Sequence, residues 1–247
     1  RRCLDTWVKN VYSRAHCALT IGQDMADYYE KKTGIKHRAL MNSIDVEFWH
    51  SNSLPPQNEV RFVYAGGLHL ERDTVLGEIA QQLNRVSEIL NKECYLDVYT
   101  NDRDAKSFKK KFGTIRNVNI HSYVPKETLV QVYEHSNVLL LIESLDINTR
   151  EFEFSKYSIS TKMAEYLASG RLIMLIGPKE SSSYKYLSAN NAAIVIDDID
   201  SLSEAMADSV DENIVETIIN NAKNLADRNH NSLKTGILLR EIVNYGS

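Results

Sequence analysis

The sequence predicts an α/β protein in which helices cover both faces of a parallel β-sheet. One observation is that strands and helices alternate along the chain from Val60 onward. Another is that the strands, such as Val138–Ile142 and Leu172–Ile176, are short, apolar and rich in branched side chains, without polar residues at alternate positions. Continuous apolar strands are typical of sheets buried on both faces, and helices are the usual connections between parallel strands.

The first 58 residues are predicted to contain two helices and two short strands, followed by a linker. Apolar residues at helical spacing indicate the helices, and a glycine after the second marks its end. A polar stretch with two adjacent prolines indicates the linker. The helices are expected at residues 1–13 and 23–32, the strands at 16–21 and 37–41, and the linker at 51–58.

From Val60 the predicted elements form one strand–helix series. The expected strands are residues 61–65, 95–99, 118–122, 138–142, 172–176 and 193–196. The expected helices are residues 74–90, 105–112, 125–135, 182–189, 202–210, 212–228 and 233–245. Residues 146–157 are polar and aromatic, and we expect them to be irregular.

Composition and charge exclude several classes of protein. The 247 residues are 43% hydrophobic and 25% charged, as in an ordinary soluble globular protein of one large or two small domains. The net charge is −4, whereas nucleic-acid binding requires a basic surface, so we expect no nucleic-acid partner. Cys3, Cys17 and Cys94 lack metal-ligand spacing and are expected to be reduced, buried thiols.

No targeting or membrane segment is expected. The charged residues at the N-terminus are not followed by the apolar core of a signal peptide. No apolar run approaches the roughly 18 residues of a membrane-spanning helix. We therefore expect a cytoplasmic protein without a transmembrane segment.

The most informative stretch begins with Ser160 and Thr161 and ends at Gly170. Either hydroxyl can cap a short helix by accepting from the free amides of its first turn, and the glycine suits the left-handed position after its end. Lys162 and Glu165 are three residues apart and share one helix face. Free amides, hydroxyls and a lysine suit an anion, and a carboxylate one turn further suits vicinal hydroxyls. This pattern favours a nucleoside diphosphate with its ribose; a capped surface helix with a solvated Lys–Glu pair is the alternative.

A second candidate follows the first strand of the series. Gly66 and Gly67 would let the backbone approach a phosphate, and Arg72 could bind a diphosphate with two hydrogen bonds. The segment is neither a G-x-G-x-x-G fingerprint nor a P-loop, and a tight turn with an exposed arginine is the alternative. Tyr123 and Val124 follow another strand. Because ligands of such sheets bind beyond the carboxyl ends of the strands, we expect all three segments to meet there.

Glu151 and Glu153 are the candidates for a catalytic role. They lie in the segment expected to be irregular, where a carboxylate could face a sugar or its leaving diphosphate; the alternative is that both are solvated. His69 has no identified carboxylate partner and is expected to face solvent. The histidines show no metal-binding spacing, and no G-x-S-x-G nucleophile motif occurs.

These segments together resemble glycosyltransferases of the GT-B fold, particularly the large retaining family 4, also called group 1. Residues 62–67 with Arg72 resemble their first strand and donor loop. Residues 160–171, S-T-K-M-A-E-Y-L-A-S-G-R, resemble their S-K-x-x-E-Y-x-x-x-G-[KR] segment. Residues 121–125 resemble the strand end between the two, and residues 41–48 resemble the interdomain pattern N-x-I-D-x-x-x-F. The resemblance covers nearly the whole chain.

The resemblance implies a Rossmann-like parallel sheet with helices on both faces, the C-terminal half of a GT-B fold. In that family a glutamate at the position of Glu165 binds the ribose, Arg72 and Lys162 would neutralise the diphosphate, and backbone near Tyr123 would meet the base. Charge neutralisation helps the nucleotide depart, so neither a metal nor another cofactor is implied. The implied nucleotide-sugar-binding residues are Gly66, Gly67, Arg72, Tyr123, Val124, Ser160, Thr161, Lys162 and Glu165.

Two positions depart from the family pattern. The family often has a second glutamate eight residues before Glu165, where this chain has Tyr157. The sugar-contacting role of that glutamate is therefore vacant or taken by Glu151 or Glu153. Leu172 replaces a frequent proline, which we interpret as a packing difference.

The resemblance also predicts domains and function. Residues 1–35 would be a remnant of an N-terminal acceptor domain, and residues 36–247 the donor-binding domain. The expected activity is retaining hexosyl transfer from a UDP- or GDP-type donor to a glycan or lipid-linked acceptor during cell-surface polysaccharide synthesis. The fragment alone is expected to be weakly active or inactive, and the full-length enzyme could lie at the inner face of the membrane. The alternatives are a non-catalytic nucleotide-sugar-binding or scaffolding module, or a nucleotide-sugar epimerase of the same architecture.

Overall fold

The computed structural model describes residues 2–51, 53–209 and 211–244, with side chains described from residue 6 onward. The strands are β1 (Ala18–Thr20), β2 (His37–Ala39), β3 (Glu59–Ala65), β4 (Glu93–Thr100), β5 (Val118–Ser122), β6 (Val138–Ile142), β7 (Leu172–Ile176) and β8 (Ile194–Ile196). The helices are α1 (Arg2–Tyr12), α2 (Gln23–Thr33), α3 (Val46–Trp49), α4 (Arg72–Leu90), α5 (Asp102–Phe112), α6 (Lys126–Glu134), α7 (Arg150–Ser155), α8 (Met163–Ala168), α9 (Ser182–Ala189), α10 (Leu202–Asp208), α11 (Glu212–Asn229) and α12 (Ser232–Asn244). A 3₁₀ turn spans Ile199–Ser201.

The main sheet has six parallel strands in the order β5-β4-β3-β6-β7-β8. The chain builds outward from β3 to β5, crosses back to β6, and then builds outward in the other direction. The carboxyl ends of β3 and β6 therefore lie side by side where the strand order reverses, which is the position where open α/β sheets bind ligands. The predicted α/β class with a Rossmann-like parallel sheet is confirmed.

Helices cover both faces of this sheet, because alternate strand residues point to opposite sides. On one face Phe62 and Leu140 join a buried cluster formed with α4, α5 and α10. On the other, Val63 and Leu139 pack with residues of α6, α8 and α9. All five residues of β6 and of β7 are buried, which explains why both strands read as uninterrupted apolar runs in the sequence.

A smaller parallel sheet, β1 with β2, lies before the main sheet in the chain. The domain boundary predicted at residue 35 falls between these two strands, which pair with each other. Helix α2 contacts the main unit: Ser182 Oγ donates to Asp24 Oδ2 at 3.0 Å, and the ring of Tyr28 stacks on Tyr157 with 4.5 Å between centroids.

The structure corrects the sequence predictions in three respects. Helix α3 lies where the sequence indicated a turn and an aromatic pair, because Asp45 accepts from the amides of Glu47 and Phe48 and caps it. The segment predicted to be irregular contains α7, which the Thr149 hydroxyl caps by accepting from Phe152. Helices α4 and α5 begin two and three residues earlier than predicted. Of the predicted helices, residues 1, 210 and 245 lie outside the described residues.

Cys17 and Cys94 are free thiols; Cys94 is buried as predicted and Cys17 only partly, while the side chain of Cys3 lies outside the described ones. In the described part of the chain, no three His, Cys, Asp or Glu side chains are grouped so that they could hold a metal ion. None of the described helices has both the length and the apolarity needed to span a bilayer.

Candidate functional site

A cavity of about 460 Å³ opens at the carboxyl edge of the main sheet, where the strand order reverses. It joins the loop after β3, the end of β5 and the chain between β6 and α8. Its lining residues are Gly66, Gly67, His69, Leu70, Arg72, Tyr123, Glu143, Ser144, Glu151, Ser155, Ser158, Ile159, Ser160, Thr161 and Lys162. The three segments that the sequence singled out therefore meet at one place.

The loop after β3 leaves room for the lysine of the next segment. A Cβ on residue 66 would lie 2.1 Å from Lys162 Nζ, so a side chain there would displace the ammonium group. The Tyr64 hydroxyl donates to the Gly67 carbonyl at 2.6 Å and fixes the start of the loop. Leu70 and Glu71, just before α4, both have φ of 60°, a left-handed conformation that non-glycine residues rarely adopt.

Arg72 reaches across the crevice from α4 to β6. Its Nε donates to the carbonyl of Ile142 at 3.0 Å, and its Nη1 lies 3.3 Å from His69 Nε2. Burial, and then the nearby Arg72 charge, lower the pKa of His69, so this imidazole is neutral at physiological pH. His69 is exposed as predicted, but it also lines the cavity.

Lys162 is the second cation of the cavity. Its Nζ lies 4.2 Å from the centre of the Tyr64 ring, a cation–π contact. Desolvation, and then repulsion by Arg72, lower the pKa of Lys162 to about 7, while Glu165 opposes that shift. The desolvated Lys162 ammonium and the Arg72 guanidinium line one cavity, and an anion bound there would stabilise both charges.

Glu165 lies one turn along α8. Among the described residues it is not part of the cavity lining. Burial raises the pKa of its carboxyl, and Lys162 and the Tyr133 hydroxyl partly offset this. Tyr166, the next residue, accepts a hydrogen bond at its hydroxyl from the amide of Ala65 at 3.2 Å, which ties α8 to the end of β3.

The helix start differs from the sequence prediction. Helix α8 has six residues and begins at Met163; Lys162 is its N-cap, with no side-chain cap bond. Neither Ser160 nor Thr161 caps it, because Lys162 is already helical at φ −72° and ψ −14°, whereas side-chain capping needs an extended residue. The predicted left-handed glycine is confirmed, since Gly170 has φ 73°.

Arg171, the last residue of the family-like segment, lies at the opposite edge of the sheet. It is 3% exposed and donates to the carbonyls of Ser53, Tyr133 and Glu134 at 2.7–3.0 Å. Its guanidinium therefore ties the linker before β3 to the end of α6 and does not reach the cavity.

The remaining predicted residues divide between the cavity and its surroundings. Tyr123 is 62% exposed at the cavity mouth, and Glu151 lines the wall. Among the described residues, Val124 and Glu153 are not part of the lining. The Glu153 carboxylate accepts from Lys156 Nζ at 2.9 Å, and the ring of Tyr157 stacks on α2.

Sequence reasoning missed two residues at the end of β6. Glu143 and Ser144 both line the cavity, and the Ser144 hydroxyl donates to the Glu71 carboxylate. They belong to no motif. The signal that could have identified them is their position directly after the apolar strand that faces the glycine loop.

The sequence model of the family described as glycosyl transferase-like matches residues 78–234, which is more than half of the chain. The chain belongs to that family. No curated protein shows a significant match to this glycosyl transferase-like chain.

Solved structures share the fold of this glycosyl transferase-like protein. Sucrose-phosphate synthase from Thermosynechococcus elongatus superimposes with a TM-score of 0.66 at 12% identity, over 98% of this chain and 62% of that one. A glycosyltransferase from Rickettsia africae gives 0.70 at 12% identity, over 96% and 67%. Anabaena HepE, solved in complex with UDP-glucose, gives 0.70 at 10% identity, over 97% and 66%.

At these identities the likeness concerns the fold. This chain spans 58% of the length of another neighbour, the lipopolysaccharide glycosyltransferase WaaG, and 62% of that of the sucrose-phosphate synthase. With the family match, these neighbours confirm the resemblance to the C-terminal domain of group 1 GT-B glycosyltransferases.

Proposed function

We propose that this chain is the donor-binding part of a retaining glycosyltransferase that uses a nucleoside-diphosphate sugar. The observation that carries the proposal is the pair of cations, Arg72 and Lys162, beside Gly66 at the point where the strand order reverses. Both side chains are held by contacts with the protein, and Lys162 is poorly solvated, so a diphosphate would stabilise their charges. The neighbour solved with UDP-glucose has the same fold and supports this choice of ligand.

In this proposal the diphosphate lies between the two cations, against the glycine backbone. Arg72 and Lys162 stabilise the negative charge that grows on the leaving nucleotide as the bond to the sugar breaks. Two fixed positive charges supply what a metal ion supplies elsewhere, so the proposal requires no metal and no other cofactor. Glu165 would bind the ribose hydroxyls, and Tyr123 with Val124 would meet the base.

Calorimetry with UDP, GDP and ADP tests the donor assignment. We expect UDP or GDP to bind the isolated chain weakly, and we expect Lys162→Met to lower the affinity by about tenfold, as for the loss of one charge-assisted contact. Lys110→Met, at an exposed lysine of α5, is the matched control and should bind like the unchanged chain. If none of the three nucleotides binds at millimolar concentration, the proposal is wrong.

We propose that an N-terminal acceptor domain completes the enzyme and binds a glycan or lipid-linked acceptor in cell-surface polysaccharide synthesis. Apolar side chains exposed on α1 and α12 support this, because such faces usually pack against another unit. They include Trp7 at 64% exposure, Leu233 at 78%, Ile237 at 57% and Val243 at 59%. Residues 1–35 would be the end of that domain, and the cytoplasmic location expected from the sequence stays part of this proposal.

One observation favours a second candidate, a binding module that keeps the fold without the chemistry. Tyr157 stands where the family often has a sugar-contacting glutamate, and its ring is packed against Tyr28. Substituting Glu165 by alanine in the full-length protein distinguishes an active glycosyltransferase from a binding module. A loss of sugar transfer supports catalysis, whereas an unchanged phenotype supports the binding module.

A further inference from the structure

Glu143 occupies a fixed position on the floor of the crevice. It is the first residue after β6, and its amide donates to the carbonyl of Ile176 at 2.9 Å. On its other side, the carbonyl of Ile142 accepts from Arg72 Nε at 3.0 Å. The backbone of Glu143 is thus hydrogen-bonded to β7. The residue before it, Ile142, binds Arg72, the arginine proposed to contact the diphosphate.

Gly177, the residue after β7, leaves space for the Glu143 side chain. A Cβ on residue 177 would lie 3.1 Å from Glu143 Cβ and 3.7 Å from its Oε2. Gly177 therefore allows the carboxylate to lie close against the end of β7. The hydroxyls of Ser181 and Ser183, at the start of α9, lower the pKa of the Glu143 carboxyl.

The other carboxylates near the site are less suited to contact a sugar. Glu153 is bound to Lys156, with 64% of its side chain exposed. Glu151 lines the cavity, but it is exposed on the six-residue helix α7. Among the described lining residues, Glu143 and Glu151 are the acidic ones, and Glu143 is the one held at a strand end.

The surroundings of Glu143 leave its carboxylate in need of hydrogen-bond donors. Burial raises the pKa of this carboxyl, and the hydroxyls of Ser183 and Ser181 and the charge of Arg72 offset part of the rise. A poorly solvated carboxylate is stabilised by additional donors, and the hydroxyls of a sugar are such donors. A second carboxylate brought to the same place would instead be repelled and would lose its own hydration.

We propose that Glu143 binds the hydroxyls of the transferred sugar and makes the site select donors with a neutral sugar over donors with an acidic one. This rests on the proposed function, since it assumes a diphosphate between Arg72 and Lys162. In this proposal Glu143, at the end of β6, makes the sugar contact that the family often makes through a glutamate at the position of Tyr157.

The test compares UDP, UDP-glucose and UDP-glucuronate by calorimetry on the whole chain, with GDP, GDP-mannose and GDP-mannuronate in their place where GDP binds better. The variants are Glu143→Gln, which removes the charge at constant size, and Glu151→Gln, at the other acidic residue of the lining. Glu88→Gln, at an exposed residue of α4 outside the lining, is the matched control. We expect the unchanged chain to prefer the neutral sugar over the uronate by about tenfold or more, the effect of one unfavourable charge contact. Glu143→Gln should reduce that preference several-fold, more than Glu151→Gln does, and Glu88→Gln should leave it unchanged.

Three results would overturn the inference. An unchanged preference in Glu143→Gln would show that the carboxylate does not meet the sugar, and a shift in Glu151→Gln instead would assign the contact to α7. Loss of UDP or GDP binding in Glu143→Gln would show that Glu143 supports the fold of the crevice. Glu143→Asp, which keeps the charge on a shorter side chain, should still disfavour the uronate. A failure of the unchanged chain to bind any nucleotide would instead contradict the proposed function.

Discussion

At the scale of single residues, the charge state of Lys162 should control ligand binding. Its pKa is about 7 in the free protein, and an anion beside it raises that pKa, so binding above pH 7 requires uptake of a proton. We therefore expect the affinity for a nucleotide sugar, whose diphosphate does not titrate near neutrality, to fall above pH 7 by about tenfold in total, the same factor that we expect for Lys162→Met. Below pH 7, where the lysine is already charged, this dependence should disappear.

Calorimetry at pH 6, 7, 8 and 9 measures this dependence. Repeating the titration in two buffers with different ionisation enthalpies gives the number of protons taken up. Lys162→Met should bind weakly at every pH and should take up no proton near pH 8. A wild-type affinity that is flat from pH 6 to 9 would contradict the assignment of Lys162 to the diphosphate.

Gly66 should matter both for nucleotide binding and for folding. In Gly66→Ala the new methyl group would overlap Lys162 Nζ, so the lysine must leave its place above the Tyr64 ring. We expect about tenfold weaker nucleotide binding and a loss of about 1–3 kcal/mol in unfolding free energy, because the φ of 157° at this position is strained for any residue with a Cβ.

A matched glycine exists for this experiment. Gly236 lies inside α12, and a Cβ there would meet nothing within 4 Å. Gly236→Ala should leave binding unchanged and should stabilise the protein by roughly 0.5–1 kcal/mol, because alanine favours helices. Urea denaturation and calorimetry on both variants provide the comparison; equal nucleotide affinities would contradict the expected clash.

At the scale of elements, Arg171 should support stability alone. Arg171→Ala would leave buried carbonyls of the linker and of α6 without donors, and we expect a loss of about 3 kcal/mol in unfolding free energy. Arg171→Lys should recover only part of it, because an ammonium group cannot reproduce the planar fork of the guanidinium. Urea denaturation measures this, with Arg240→Ala on the exposed face of α12 as the control. A folded Arg171→Ala variant that no longer binds nucleotide would contradict the assignment.

The sequence predicted correctly those helices and strands whose ends are marked by neighbouring residues. It failed where packing against distant parts of the chain decides where an element begins. The bounds of β5, β6, β7 and α9 agree with the sequence prediction. For β6 and β7 the reason is that each is an uninterrupted apolar run with a polar residue or glycine at both of its ends. Helix α7 was missed, since its six residues include only two apolar ones, Phe152 and Phe154, and its cap is a single threonine. The start of α8 was mispredicted because serine and threonine favour capping in general, while here tertiary packing holds Lys162 in a helical conformation.

The residues of the candidate site could likewise be predicted only where they form a local sequence pattern. Arg72, Lys162 and the glycine pair were found because each has a recognisable chemical pattern next to a strand end. Glu143 was not found, since a single acidic residue after a strand carries no pattern and its role depends on which strands become neighbours. The left-handed conformation of Leu70 and Glu71 has no sequence signal at all, because neither residue type favours it.

At the scale of the whole molecule, the apolar face of α12 should govern self-association of the isolated chain. Introducing charge with Leu233→Glu and Ile237→Glu together should lower the concentration-dependent association measured by sedimentation velocity, since both side chains are largely exposed. The unfolding free energy should change little. Leu54→Glu alters a leucine that is 82% exposed in the linker and is the control. Equal effects in the two variants would contradict a specific role for α12.

The stack between Tyr28 and Tyr157 couples a part of the chain outside the main sheet to the wall of the cavity. Tyr157 directly precedes the loop from Ser158 to Lys162, and a Cβ on Gly22 would lie 3.2 Å from Ile159 in that loop. Residues from α2 and its N-terminal edge thus support the backbone that would contact the proposed ligand. If the proposed function is right, the shortest fragment that binds a donor should begin ahead of α2, although the six-stranded sheet is complete without it.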